Sequence, residues 1–135
     1  MKKTAQYAAV IVFAHALVAA VHGIAHQHLG ISLTLAQSLF VVVVITLAPL
    51  IALLLLWTRL RKWGAALLLL SMLGSLIFGI VNHFLIDSSD HVLHLPPGEW
   101  RLAFQITAAL LVITELWGCA CGAWSLRYGN SVPPK

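Results

Sequence analysis

Long apolar stretches alternate with short polar segments along the chain. The four longest cover about residues 4–26, 33–57, 64–86 and 100–126. Each reaches the roughly 20 residues that an α-helix needs to cross the hydrocarbon core of a bilayer. The pattern therefore predicts an all-α integral membrane protein with four transmembrane helices, and it leaves residues 87–99 as the longest connection between them.

The connections between the first three stretches are short. Residues 27–32 join the first to the second, and residues 58–63 join the second to the third. Short connections place consecutive helices side by side and antiparallel. We therefore expect one domain, residues 1–135, folded as an up-down-up-down four-helix bundle.

The first stretch has an alternative interpretation. Met1, Lys2 and Lys3 precede an apolar run, as in a secretory signal peptide. The run is long for the apolar region of such a peptide, and this length favours a helix that stays in the mature protein.

The composition agrees with a bilayer environment. Hydrophobic residues make up 61% of the chain and charged residues only 9%, whereas about a quarter of the residues in a soluble domain are charged. A net charge of +4 could also suit nucleic acid. The basic residues, however, flank the apolar stretches and lie mainly on one side of the predicted bundle. Membrane proteins are enriched in lysine and arginine on their cytoplasmic side in this way.

The orientation of the bundle follows from these basic residues. Those on one side are Lys2, Lys3, Arg59, Arg61, Lys62, Arg127 and Lys135. Only Arg101 falls on the other side. We therefore expect a multi-pass protein of the cell (inner) membrane, with cytoplasmic N- and C-termini and with the loops at 27–32 and 87–99 outside. The lipid bilayer is its expected partner, and nucleic acid is not.

Several positions in the apolar stretches are interpreted as packing features. Gly118 and Gly122 have the spacing of small residues that let two membrane helices approach closely. Cys119 and Cys121 point about 200° apart on a helix, so they cannot form a disulfide with each other there. Pro49 removes one backbone hydrogen bond from the second helix and predicts a kink.

Histidines form a stripe on the first predicted helix. His15, His22 and His26 are spaced i, i+7 and i+11, and they lie within roughly 40° of one another on a helix. The last two lie on adjacent turns near the outer end. This spacing is typical of two metal ligands supplied by one helix.

A second group of polar residues lies at the outer end of the third helix and in the loop after it. With helical periodicity, His83, Asp87, Asp90 and His94 fall within a stripe roughly 60° wide, and His91 lies beside it. The two aspartates could equally cap a following turn.

The two groups lie at similar depth in the predicted bundle and could converge at its outer rim. Imidazole suits zinc, copper and iron, and added carboxylate is typical of zinc and non-haem iron sites. The sequence therefore predicts a transition-metal site (Zn, Cu or Fe) for redox or metal-dependent chemistry. The candidate ligands are His22, His26, His83, Asp87, Asp90, His91 and His94.

Two alternatives stay open. Haem b needs one axial histidine from each of two facing helices, and His22 or His26 opposite His83 would meet that need. Otherwise the histidines contact a partner, and the chain is a cofactor-free accessory subunit of a larger membrane complex or a homo-oligomer. The sequence identifies neither a substrate nor catalytic residues, so it leaves enzymatic activity undecided.

A further polar pair lies deeper in the predicted bundle. Glu115 is the only acidic residue inside an apolar stretch, and an ionised carboxylate is costly in a bilayer. We expect it to face the bundle interior and approach His15, which would make the first and fourth helices neighbours. The pair would form either a proton or metal-ion path toward the rim, or a hydrogen bond that fixes helix packing.

Overall fold

The computed structural model describes residues 2–128, and these contain four long helices and no strand. We label the helices α1 (Lys2–His28), α2 (Leu35–Leu56), α3 (Arg61–Leu85) and α4 (Arg101–Tyr128). All four are long and apolar enough to cross a membrane. The prediction of an all-α chain is therefore confirmed, and the helix ends differ from the expected ones by a few residues.

Two of the helices change their hydrogen-bonding pattern along their length. In α2, α-helical Leu35–Phe40 leads into a π-helical segment, Val41–Leu47, and then into α-helical Ala48–Leu56. α3 is α-helical over Arg61–Ile80 and ends in a π-helical turn, Val81–Leu85. Wider turns of this kind are frequent at functional sites.

The irregular part of α2 lies just before Pro49. Proline has no N–H to donate to the carbonyl one α-helical turn back, which here belongs to Ile45. That carbonyl accepts a hydrogen bond from Nε2 of His15 on α1, at 3.3 Å. The irregularity predicted at Pro49 therefore appears as the π-helical segment, and a side chain from the neighbouring helix bonds to its backbone.

The helices pack as antiparallel neighbours. α4 lies against both α1 and α3, and α2 lies against α3 and α1. Between α1 and α4, His22 meets Thr107 and the earlier His15 meets the later Thr114, so the two helices run in opposite directions. The four helices therefore close into a bundle.

One half of the bundle, which we call the apolar end, contains the start of α1 and the end of α4. Two glycines of α4 allow close packing there. A Cβ atom at Gly122 would lie 2.8 Å from the backbone nitrogen of Leu69, and one at Gly118 would lie 2.5 Å from Cγ of Met72. The small-residue spacing noted in the sequence thus lies at the contact between α3 and α4. The buried residues of this core are Ala8, Val12, Ala52, Leu53, Leu68, Met72 and Cys121.

The outward faces of the helices are apolar as well. Val10, Leu54, Leu70 and Trp117, one from each helix, are all exposed. A helix that is apolar on all sides is typical of a buried or membrane environment. The fold therefore has an apolar exterior around a bundle whose other half holds the polar residues described next.

Candidate metal centre

Three histidines meet inside the half of the bundle opposite the apolar end. His22 and His26 come from adjacent turns of α1, and His83 comes from the π-helical end of α3. All three side chains are buried, and one nitrogen from each lies within 4.8 Å of the others. We call these residues the histidine triad, and their arrangement could hold a metal ion.

The hydrogen bonds of His22 determine which of its nitrogens is free. Its Nδ1 lies 2.8 Å from the hydroxyl oxygen of Thr107 on α4. The hydroxyl of Thr107 also lies 2.7 Å from the carbonyl of Ala103, which can only accept. We therefore assign the hydroxyl hydrogen to that bond, and Nδ1–H of His22 then donates to the hydroxyl oxygen. The Nε2 atom of His22 therefore carries the lone pair, the form in which imidazole binds metals.

The neighbours of His83 likewise determine which of its nitrogens carries the hydrogen. Its Nδ1 lies 3.2 Å from the backbone carbonyl oxygen of Asp90 and 3.2 Å from Oδ1 of the same residue. Both atoms are acceptors when the carboxylate is ionised, so Nδ1 carries the hydrogen. The lone pair of His83 is therefore on Nε2 as well.

The two lone pairs face each other. The Nε2 atoms of His22 and His83 are 3.2 Å apart, and with both Nδ1 atoms acting as donors neither Nε2 has a hydrogen to share. A cation between them would replace this repulsion by two bonds. In tetrahedral zinc coordination, with Zn–N distances near 2.0–2.1 Å, two ligand nitrogens lie about 3.3 Å apart. The observed separation therefore suits a shared metal ion.

Asp90 adds a buried carboxylate to the triad. Its Oδ1 lies 3.3 Å from Nε2 of His26 and 3.2 Å from Nδ1 of His83. These are ion-pair distances without aligned hydrogen bonds, because neither carboxylate oxygen has a hydrogen-bond partner among the described residues. Nδ1 of His26 also has no such partner among them. Buried polar atoms are normally paired, so this group of atoms fits a site that a cation completes.

A π-helical turn and the following loop bring Asp90 to the triad. Ile86 N–H bonds to the carbonyl of Val81, five residues earlier, and Val92 N–H bonds to the carbonyl of His83. The loop 86–100 is therefore tied back onto the end of α3. Gln105 of α4 holds the same loop by donating to the carbonyl of Val92, at 2.7 Å.

Phe104 of α4 packs against the triad from the side. Its ring centroid lies 4.4 Å from that of His22, 4.9 Å from that of His26 and 5.3 Å from that of His83. Apolar side chains, among them Leu95 from the loop, surround the phenylalanine. This packing excludes water from one side of the triad and limits the movement of the imidazoles.

The structure leaves three of the predicted ligands outside this cluster. α3 ends at Leu85, so helical periodicity does not continue into the loop. Asp87 and His94 form an exposed pair, with 2.6 Å between Oδ1 and Nδ1. His91 stacks on His94 and uses both ring nitrogens in hydrogen bonds to the backbone, Nε2 to the carbonyl of Phe84 in α3 and Nδ1 to the N–H of Leu93 in the loop.

His15 and Glu115, the deeper polar pair, are not joined by a hydrogen bond. α1 and α4 pack against each other, but His15 donates to Ile45 and its Nδ1 lies 3.5 Å from the hydroxyl of Thr114. Glu115 is buried, and its Oε2 has no hydrogen-bond partner among the described residues. In this structure His15 connects three helices, whereas the carboxylate stays available to another partner.

A cavity of about 340 Å³ adjoins the triad. The histidines and Asp90 line one end of it, and Gly79 and Glu115 line the other. The predicted rim site and the deeper carboxylate therefore border the same space.

Two residues of the site, Thr107 and Phe104, escape sequence reasoning. Threonine in an apolar helix usually bonds to its own backbone, and a phenylalanine there is ordinary. Their roles depend on which face of α4 packs against α1, and the sequence does not determine that face.

Comparisons with known proteins offer no independent guide, since no family model, no curated protein and no solved structure matches the chain.

Proposed function

We propose that the chain is a multi-pass membrane protein that binds one transition-metal ion through His22, His26 and His83. The observation that carries the proposal is the 3.2 Å separation of the Nε2 atoms of His22 and His83, with an oxygen partner for Nδ1 on the other side of each ring. The unpaired carboxylate of Asp90 beside them supports it. A bound cation would satisfy the two imidazoles directly, and its charge would stabilise the buried carboxylate beside them.

Membrane insertion is supported by the apolar outer faces of four helices of sufficient length. The basic residues at the apolar end favour a cytoplasmic position for that end and for both termini. The histidine end and the loop 86–100 would then face outward across the cell membrane.

The donor set favours zinc over copper and iron. Three imidazoles with a fourth position left open are typical of catalytic zinc sites. Asp90, which lies against Nδ1 of His83, would orient that ligand, as carboxylates commonly do next to zinc-binding histidines. A zinc ion held by these three histidines, which line the cavity, would supply Lewis acidity there. Copper and iron bind the same nitrogen donors and are the alternatives that metal analysis separates.

The geometry favours a directly bound ion over haem b. Two axial histidines lie on opposite sides of a haem, with the flat macrocycle between them. The ring centroids of His22 and His26 lie only 4.8 Å and 5.8 Å from that of His83, and Phe104 packs against all three rings. In neither pair does this packing leave space for a macrocycle between the imidazoles.

The test is metal binding by the full chain, purified in detergent without a histidine tag. We expect about one zinc ion per chain and no haem absorption. His22→Ala and His83→Ala should each lower the zinc affinity by about 100-fold or more, because losing a ligand costs more than losing a residue that only orients one, which costs about 10- to 100-fold.

His28→Ala is the matched control. His28 lies in α1 close to the triad, but its ring stacks on Trp100 at 4.5 Å, so zinc binding should not change. Equal zinc affinity in wild type, His22→Ala and His83→Ala would refute the proposal.

A further inference from the structure

We infer that the cavity beside the histidine triad binds a small, largely apolar molecule that donates a hydrogen bond to Glu115. The inference deepens the proposed function and rests on it only for the end of the cavity at the metal. The opposite end is defined by Glu115 and stands on separate observations.

The cavity has the size and lining of a ligand site. Its volume of about 340 Å³ lies within the range of small-molecule pockets, which begins near 300 Å³. Apolar side chains form its walls between the two polar ends, among them Val41, Ile45, Phe78 and Leu111. Such walls favour an apolar ligand body and disfavour a hydrated ion.

Glu115 presents an acceptor to this space. The residue is only 2% exposed, and Oε2 has no hydrogen-bond partner among the described residues. The hydroxyl of Ser75, which lines the same cavity, donates instead to the carbonyl of Ser71. A buried acceptor without a donor is costly, and a ligand that carries a hydroxyl or an amine would remove that cost.

The carboxylate lies close enough to the triad for one small molecule to reach both. A Cβ atom at Gly79 would lie 3.8 Å from Oε2 of Glu115, so the carboxylate is level with Gly79 on α3. His83 follows four residues later, a rise of about 6 Å along a helix. A ligand about the size of one or two rings therefore spans the distance.

The cavity opens between α1 and α2. Gly23 and Gln27 of α1 line it and are exposed, and Ser38 of α2 borders it on the other side. With the helices in a bilayer, this opening faces the lipid near the outer end of the bundle. A lipid-soluble molecule would enter by that route.

The experiment uses the full, tag-free chain in phosphatidylcholine nanodiscs loaded with cobalt(II), whose visible spectrum reports on the metal site. The probes are N-phenylimidazole and its para-hydroxy derivative. The imidazole of each can bind the metal, and only the second carries a donor for Glu115. We expect the hydroxy compound to bind about tenfold more tightly, the effect of one net hydrogen bond.

The variant Glu115→Leu removes the acceptor and should abolish this preference while the parent compound still binds. Glu115→Gln keeps the side-chain shape and should weaken the preference, and it serves if the leucine variant does not fold. Glu99→Gln, in the exposed part of the loop, is the control and should keep the full preference. Equal binding of the two probes to the wild-type protein, or an unchanged preference in Glu115→Leu, would overturn the inference.

The same titration on metal-free protein separates the two proposals, with tryptophan fluorescence as the readout. If the triad binds no metal but the metal-free protein prefers the hydroxy probe, the proposed function fails and the inference stands. If metal binds and the preference is absent, the inference fails and the metal centre stands.

Discussion

The two ends of the bundle differ in how closely their helices pack and in what lies between the helices. At the apolar end, α3 and α4 approach so closely that Gly122 has no space for a Cβ atom beside the backbone of Leu69. At the histidine end, Phe104, the imidazoles and the cavity lie between the helices. We expect the close contact at the apolar end to contribute most to stability, so that the other end can carry unpaired polar groups.

The distribution of unpaired polar atoms makes the same point. Among the described residues, buried side-chain atoms without a hydrogen-bond partner occur on His26, Asp90, Glu115 and Ser125. The first three line the cavity. A fold normally pairs its buried polar groups, so atoms left unpaired around one cavity indicate partners that bind there.

The largest effect on stability should come from the apolar end. Gly122→Ala places a methyl group 2.8 Å from the backbone nitrogen of Leu69, so α3 and α4 must move apart. We expect a loss of about 1–3 kcal/mol in the free energy of unfolding, as for other overpacked cores. Unfolding by denaturant in detergent micelles measures this loss, and the folded fraction should keep its zinc affinity.

Gly23→Ala is the control for this substitution. A Cβ atom at Gly23 meets nothing within 4 Å, and alanine favours a helix over glycine by up to about 1 kcal/mol. The variant should be as stable as the wild type or more stable. Equal destabilisation by both substitutions would show that the contact between α3 and α4 has no special importance.

Thr107→Val should act on zinc binding and not on the packing of α3 against α4. Valine has nearly the same shape, but it cannot accept the hydrogen bond from Nδ1 of His22. We expect zinc affinity to fall about 10- to 100-fold, as when other groups that orient metal-binding histidines are lost. Competition with a chromogenic chelator measures the affinity.

Thr114→Val, on the same helix, removes a hydroxyl that lies near His15 rather than the triad. Its zinc affinity should match that of the wild type. If Thr107→Val behaves in the same way, the assignment of the His22 lone pair to Nε2 is wrong.

The smallest effects should come from the loop surface. Asp87→Asn and His94→Ala break an ion pair whose side chains are 85% and 54% exposed. An exposed pair contributes less than about 1 kcal/mol, and zinc binding should not change in either variant. A loss of affinity as large as that expected for Thr107→Val would mean that the loop supplies a ligand in solution.

The sequence predicts the helices and the triad for one physical reason. A bilayer requires long apolar runs, and within a helix the spacing of residues determines which face they share. His22 and His26 lie within α1 and His83 lies before the end of α3, so helical periodicity applies to all three. Similar depth in neighbouring helices then brings the two groups together.

Helical periodicity does not predict the positions of the loop residues. Beyond Leu85 the backbone follows tertiary contacts, such as the hydrogen bond from Val92 to the carbonyl of His83. Those contacts turn Asp90 inward and leave Asp87 and His94 outside. The sequence contains no periodic signal for such a choice. The bond from His15 is not predictable from periodicity for a similar reason. Pro49 leaves the carbonyl of Ile45 without its α-helical donor, and this carbonyl accepts from His15 in place of Glu115.

X-ray absorption at the zinc edge of the loaded, tag-free protein tests the metal centre most directly. We expect nearest neighbours at about 2.0–2.1 Å and the more distant scattering of three imidazole rings, falling to two rings in His26→Ala. A zinc ion surrounded by oxygen alone, or a spectrum that is the same in wild type and His26→Ala, would contradict this expectation.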